Sequence, residues 1–511
     1  MSLYEKSIVA SGHQMVSRTA VEIIKEGGNA FDAIVAAGFA SAVVEPCLTS
    51  LGGGGYLIGH EHSSGQNLFF DFFVDTPGLG RTINPEDTHF FPVTVSFSGS
   101  DQVFNIGLGS VAVPGTLKGL IHIQKQLGRM SLREVVQPAR NFALGHRINE
   151  QQGMFLTLIY PIVTQTDRGR DLYEPGGVLK RPGDILENRL CADFLDLVAD
   201  DQGESFYRGE IAASIDKEMK EGGGWLTRDD LANYQVHERP PLKVPYRDYE
   251  LLTTSEPSVG GTMIGLSIGL LQKAGPYGGY GGEWGEGKQI MRTVTLMREV
   301  EKIRARGVTT PAQLEAFMED GTVVNGSVEQ IRMFSRGTTH ISIADKFGNC
   351  AAMTFSNGEG SGYFAPGTGV MLNNMMGEDD LHPDGFHSSP PGQRVGSMMS
   401  PSLLAKDGEI KLVIGSGGSK RIRTSVSQVL SQIVDFDRPL KTAVEAPRLF
   451  WDGEILQVEP GFSEEALEEV QRNVKINLWD TRDVFFGGVH TVIPGHCGAG
   501  DSRRGGSVEE V

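Results

Sequence analysis

This sequence has no uninterrupted apolar stretch long enough to suggest a membrane span. Its opening residues, MSLYEKSIVASGHQMVS, hold no apolar run flanked by positive charge, so no secretory signal is expected either. Positive charge is scarce: 46 Lys and Arg against 64 Asp and Glu give a formal net charge of −18. Nucleic acid and anionic lipid both attract basic faces, so neither is expected as a partner. Cysteine is rarer still. Cys47, Cys191, Cys350 and Cys497 stand far apart with no CxxC pair, and read as reduced, mostly buried thiols of a cytoplasmic protein. The 12 histidines form no HExxH motif and no zinc-like spacing with cysteine, so neither a metal nor a cofactor is expected. No Gly-x-Ser-x-Gly elbow stands between a strand and a helix, which disfavours an α/β-hydrolase.

What the sequence does have is size and glycine. A chain of 511 residues exceeds one ordinary core, so two coupled lobes or one large layered domain are expected. With 39% hydrophobic and 22% charged residues, the composition is that of a globular protein. The 67 glycines, about 13% of the chain against a usual ~7%, cluster in short loops and suggest sites lined by backbone.

Residues 17 to 44 read as a helix, a Gly27-Gly28-Asn29 break, and a second helix apolar nearly all round, hence buried. The glycines from Gly52 to Gly55 precede a strand and are followed by no Lys-Ser/Thr, so close backbone packing is expected there and not a phosphate cradle. Helices follow from Val113 towards residue 220, strands over 240 to 255, a glycine-rich loop from Gly275 to Gly287, and a helix from about Gln289 to Arg304. Residues 308 to 336 lose periodicity and read as an exposed linker. After Gly337 the pattern becomes a half-buried strand, Thr338 to Asp345, turning at Lys346–Asn349 into a second strand, Cys350 to Ser356. A similar hairpin spans Ser402 to Gly415. The helix after it places Ile422, Val426, Val429, Leu430 and Ile433 on one face. Hairpin sheets with outer helices give layered α/β packing.

Thr338 carries the chemical signal, because a linker leads straight into a strand whose first residue bears a hydroxyl. Cleavage before it would place an α-amine, reference pKa about 7.7–8.0, on the same residue as that hydroxyl. One residue would then supply both nucleophile and base. On local pattern alone, beginning a β-strand is the better explanation of Thr338.

Family resemblance separates these readings. Thr338-Thr339-His340-Ile341-Ser342, with Asp345 and Gly348-Asn349, resembles the start of the small subunit of γ-glutamyltranspeptidases. Further similar segments occur in the family's order: Gly27 to Ala33, Leu51 to Gly54, Val113 to Thr116, Val135 to Ala139, Leu372 to Asn374, Met399 to Pro401, Gly415 to Gly418 and Ala446 to Arg448. The resemblance implies a four-layer αββα sandwich of the N-terminal nucleophile hydrolase type, α/β (α+β) in class. It also implies self-processing into residues 1–337 and 338–511, which stay one intertwined domain, and leaves homo-oligomerisation open. Thr338 resembles the nucleophile that forms a γ-glutamyl ester, which water or an amine resolves. Thr339 and Ser356 resemble its supporting hydroxyls. Gly418 and Ser419 match the family's two oxyanion-hole positions, where serine still supplies a backbone donor; Ser419 could equally cap the following helix.

The substrate side is less faithful. Ser397 matches the first of the family's two carboxylate-binding serines, but Met398 occupies the second place. Arg81 lies one position from the family's arginine and could equally be a surface charge. Met375 replaces an amide-bearing residue, while Asn357, Glu359 and Glu378 could hold an ammonium group. The stretch from Asn374 to Ser400 is short, which implies an open cleft and favours hydrolysis over transfer. The implied substrate is a γ-glutamyl amide such as glutathione. The alternatives are another acyl group, of the glutaryl or cephalosporin acylase kind, or a relative that binds a small molecule without turnover.

Overall fold

The computed structural model describes residues 2–82, 84–97, 100–275, 282–320, 337–382 and 385–511. Strand β1 (Ile8–Ser11) leads into helices α1 (Gln14–Lys25) and α2 (Ala30–Val44). Strands β2 (Gly54–Glu61) and β3 (Gln66–Phe72) form the first hairpin, and a run of helices from Thr116 to Asn233 follows, as the sequence predicts. Then come β4 (His237–Arg239), β5 (Leu242–Tyr246), β6 (Tyr249–Thr253), and helices α3 (Val259–Lys273), α4 (Gly287–Ala305) and α5 (Pro311–Asp320). Beyond Gly337 lie β7 (Thr339–Ala344), β8 (Cys350–Ser356), β9 (Ser402–Lys406), β10 (Glu409–Gly417), helix α6 (Arg421–Val434), β11 (Gly488–Ile493), β12 (Cys497–Ala499) and β13 (Ser507–Glu510).

These strands build two stacked sheets. The first has the order β13-β1-β7-β8-β2-β3-β4, the second β12-β11-β10-β9-β6-β5. Side-chain alternation fixes the layers. Val9, Leu57, Ile341, Ile343 and Met353 turn outward into a core shared with α1 and α2. Ile8, Ala10, Tyr56 and Ile58 turn inward towards the second sheet, on the face where Val413 and Val492 pair, and the far side of that sheet, with Ile414 and Val489, carries α3 and α6. Helices therefore cover both sheets, giving the αββα sandwich.

Strand β7 differs from its expected half-buried form: every residue in it is buried. Its polar face is turned to the second sheet, not to water. His340 Nδ1 lies 2.7 Å from Thr354 Oγ1 and Nε2 2.9 Å from Ser342 Oγ, and Ser342 donates to the His490 carbonyl. Burial pushes the His340 pKa well below its ordinary value, so the ring is neutral. A Cβ on Gly415 would stand 2.2 Å from that ring, so glycine there lets the sheets close. The Gly52–Gly55 run packs as expected, since a Cβ on Gly53 would meet the Ser356 carbonyl at 2.1 Å.

Two expectations fall partly outside the described residues. Of the Gly275–Gly287 loop, 276–281 lie there, and of the 308–336 linker, 321–336. Within the described part, the linker reading needs correction, because α5 is helical. Its periodicity is faint because only Leu314 of its described side chains is buried, while Thr310 Oγ1 accepts from the Gln313 N–H to start it.

The Gly27–Ala33 motif is a buried cap. Asn29 accepts from the N–H groups of Phe31 and Asp32, and Asp32 returns the bond to Asn29. The Asp32 carboxylate also takes Gln124 Nε2 at 2.7 Å and the N–H groups of Arg129 and Met130 at 2.9 Å. Asp32→Ala strands these donors inside the protein and should cost about 3–5 kcal/mol. Denaturant unfolding of the variant beside the parent chain measures this; a loss under about 1 kcal/mol would contradict the assignment.

Candidate active site

Thr338 stands where the chain enters β7. The strand is paired with β8 on one edge from Thr339 (opposite Phe355) and with β1 on the other from Ile341 (opposite Ser11), so residue 338 directly adjoins the β8 ladder. The residue ahead of it is held as well. The Gly337 carbonyl accepts from Ser356 Oγ, and its N–H donates to Glu359 Oε1 at 3.1 Å. A Cβ on Gly337 would overlap the Gly358 carbonyl at 1.8 Å, so only glycine fits this close approach. Ser356 Oγ in turn accepts from the Gly358 N–H at 2.9 Å.

A cleft of about 350 Å³ opens at this point. Of the residues singled out in the sequence, Thr338, Ser356, Glu378, Ser397 and Ser419 line it. The rest of its wall is apolar: Phe73, Met375, Leu381, Met398, Met399 and Ile422. Glu378 is buried at 7% exposure and is not part of a wet acidic surface. Ser397 Oγ accepts from the Met399 N–H. A larger cavity of about 740 Å³, bordered by Arg423, Glu301 and Trp451 on another face of α6, holds no comparable nucleophile.

Between the end of β10 and the start of α6 the chain turns through left-handed conformations, with φ of 118° at Gly418 and 50° at Ser419. Positive φ is ordinary for glycine and uncommon for serine, and such turns concentrate at functional sites. The turn lies against Thr338, since a Cβ on Gly417 would meet the Thr338 carbonyl oxygen at 2.3 Å.

Glu359 and Asn357 lie beside the cleft, not on its wall. Glu359 is tied to Gly337, and its N–H donates to Asn374 Oδ1 at 2.8 Å. Asn357 is buried, and neither polar atom of its amide has a partner among the described residues. Arg81 is not brought to the site. Its guanidinium bonds Asp216 at 2.6 Å and the Gly224 carbonyl, a tie within the large helical region. Asn373 is structural, bracing the Gly52 and Ala112 carbonyls with its amide.

Two residues at the site escaped the sequence reading. Thr339 Oγ1 donates to Glu45 Oε1 at 3.4 Å, and Ser41 Oγ donates to Glu45 Oε2 at 2.6 Å. Burial raises the Glu45 pKa to about 7. A carboxylate closing the largely apolar α2 is a visible signal for it. Arg504 NH1 donates to the Thr338 carbonyl at 3.1 Å; only the fold brings residue 504 to residue 338. Among the described residues no group of three or more His, Cys, Asp or Glu could hold a metal ion.

Burial holds the Glu45 carboxyl at about 7, against an ordinary carboxylate value near 4.5. Between those two pH values the folded state binds the extra proton, so stability falls as pH rises and the penalty is complete above pH ~7. At about 1.36 kcal/mol per unit this amounts to ~3 kcal/mol. Glu45→Gln should therefore raise stability relative to the parent at pH ~8.5 and change it little at pH ~4.5. A gap between the two melting curves that does not vary with pH would refute the assignment.

Comparison with known proteins gives a consistent set of likenesses. A family model described as Gamma-glutamyltranspeptidase matches residues 16–511. An acylase ACY 1 proenzyme of Pseudomonas sp. (strain V22) is 30% identical over 495 residues, covering 90% of this chain and 85% of that protein. A glutathione hydrolase proenzyme of Escherichia coli (strain K12) is 29% identical over 500 residues, covering 91% and 84%. Among solved structures, a cephalosporin acylase from Bacillus halodurans covers 99% of this chain and 96% of its own, with a TM-score of 0.81 at 22% identity, a likeness of fold. A Helicobacter pylori gamma-glutamyltranspeptidase chain covers 63% and 93%, with a TM-score of 0.52 at 28% identity.

Proposed function

The chain belongs to the gamma-glutamyltranspeptidase family, and we propose that it is a self-processing amidohydrolase whose nucleophile is Thr338. The observation that carries this is the double hold on Gly337, whose carbonyl takes the Ser356 hydroxyl and whose N–H meets Glu359. Thr338 Oγ attacks that carbonyl carbon. The hydroxyl proton passes to the Thr338 nitrogen as the C–N bond breaks, leaving Gly337 esterified to Thr338. Water hydrolyses the ester and leaves a carboxylate on Gly337 and a free α-amine on Thr338. Ser356 stabilises the oxyanion of this step.

The products are residues 1–337 and 338–511, and the sheet order supports their staying together. The first sheet sets β7 and β8 of the small piece between β1 and β2 of the large one, and β1 between two small-piece strands. The free amine then serves as base for the same hydroxyl. A substrate amide acylates Thr338, backbone donors at Gly418 and Ser419 take its oxyanion, and water releases the acid. Three buried free thiols, with Cys497 partly exposed, support the cytoplasmic placement read from the sequence.

The wall of the cleft supports an acyl group with an apolar body. Six apolar side chains line it, and no Lys or Arg stands among its lining residues to receive an α-carboxylate. A γ-glutamyl group is the second reading, favoured by Glu378 as partner for an ammonium and by Ser397 in the family's place.

On a denaturing gel the parent chain should give two fragments, the smaller starting at Thr338. Thr338→Ala should give one uncut chain, and Ser356→Ala should slow cutting by about 10²-fold. An intact parent chain would sink the proposal. Release of p-nitroaniline should be faster from a phenylacetyl than from a γ-glutamyl anilide. The reverse order would select the γ-glutamyl reading and leave the nucleophile assignment standing.

A further inference from the structure

Arg504 is 3% exposed and far from Thr338 in sequence, yet its guanidinium sits between the nucleophile and the turn below it. NH1 donates to the Thr338 carbonyl at 3.1 Å and NH2 to the Val484 carbonyl at 3.4 Å. Hypothetical Cβ atoms on Gly417 and Gly418 would lie 3.2 Å from NH1 and 3.4 Å from NH2. The side-chain stem lies flat over Gly488, where a Cβ would meet Arg504 Cδ at 2.4 Å. Little freedom remains for this side chain. It is anchored from behind, because its N–H donates to the Asp501 carbonyl, and Asp501 is bonded to Arg448 and Arg503.

We propose that Arg504 is a positioning residue for Thr338, fixing it through its carbonyl and supplying the positive charge that keeps its α-amine in the basic form after self-cleavage. This rests on Thr338 being the nucleophile, and goes beyond that reading. The α-nitrogen and the carbonyl oxygen belong to one residue, so the cation is within about 7 Å of the amine. A like charge at that range disfavours the ammonium form. At an effective dielectric of about 20 the repulsion is on the order of one to two pH units. The carboxylates near the amine act in the opposite sense. They are Glu359 at Gly337, Glu378 on the cleft wall and Glu45 behind Thr339, the last largely neutral below pH 7. Glu359, Asp501, Asp483 and Glu45 act on Arg504 as well, in that order. Burial lowers the Arg504 pKa to about 10, so the guanidinium stays charged through the working range.

Arg504→Met and Arg504→Lys, made in the full chain, separate this role from a packing role. In the methionine variant the acidic limb of kcat/KM should move up by about one pH unit, with lysine restoring it towards the parent value. A methionine variant with lowered kcat and an unmoved limb would overturn the proposal, since lost packing alone does not alter the amine's proton affinity. Should the methionine chain remain uncut, the gel decides. Cutting restored by lysine supports the proposal, and a lysine chain cut no better than methionine overturns it. Thr338→Ala serves as reference: if that chain is still cut and active, the nucleophile reading itself fails, whereas an inert reference beside unaffected Arg504 variants refutes this inference alone.

Discussion

Strand β7 is hydrogen-bonded along both edges, and nearly everything at the site follows from that. A strand inside a sheet has its register fixed twice, here by β1 and by β8. Residue 338 is one residue ahead of the pairing with β8 and three ahead of the pairing with β1, so its place relative to Ser356 at the end of β8 is set by the ladder and not by loop preference. The opposing sheet supplies the third boundary. Gly415 and Gly417 let β10 approach until backbone meets the His340 ring and the Thr338 carbonyl. Any larger side chain would separate the sheets and move the turn at Gly418 away from the hydroxyl.

The same constraint explains why a break at 337 would not dissolve the molecule. Its strands alternate in origin across the first sheet, with β13 and β7 flanking β1 and β2 beside β8. Separating the pieces would expose β1, β7 and the almost wholly buried α2 together, and marginal protein stability cannot meet that cost. The buried ion cluster of Arg448, Asp501, Arg503 and Glu459 pins the C-terminal loop to the same end of the sandwich. Breaking one partner of such a cluster strands a charge, so the loop bearing Arg504 is rigid.

What was legible in the sequence was what local pattern encodes. The apolar α2, the two hairpins and the amphipathic α6 each announce themselves within a dozen residues, and the ordered motifs marked Thr338, Ser356 and the Gly418-Ser419 turn. The burial of β7's polar face was not legible, because His340 and Ser342 alternate with isoleucine as they would on a wet strand. Only a second sheet makes that face interior. Helix α5 was missed because one buried leucine gives no period. Arg81 was carried by proximity in a weakly matched stretch, and Asp216 claims it instead. Glu45 and Arg504 could not be connected to residue 338 by any spacing rule, since they lie 293 residues before and 166 residues after it.

The geometry also separates two properties that share the site. The parts proposed to break bonds are backbone groups and short hydroxyls at or beside the sheet ladders: the Gly337 carbonyl, Ser356, Thr338 and the Gly418-Ser419 turn. The rest of the cleft wall consists largely of side chains from segments outside the sheets, among them Met375, Glu378, Leu381, Ser397 and Met398. Exchanging a side chain on such a segment leaves the sheet ladders untouched, whereas displacing Ser356 or Gly417 disturbs the ladder itself. Substrate preference can therefore diverge on a fixed reaction centre. That accords with a chain about equally similar to an acylase proenzyme and to a glutathione hydrolase proenzyme. Resemblance at the nucleophile is thus weak evidence about the acyl group, and the composition of the cleft wall is the stronger guide.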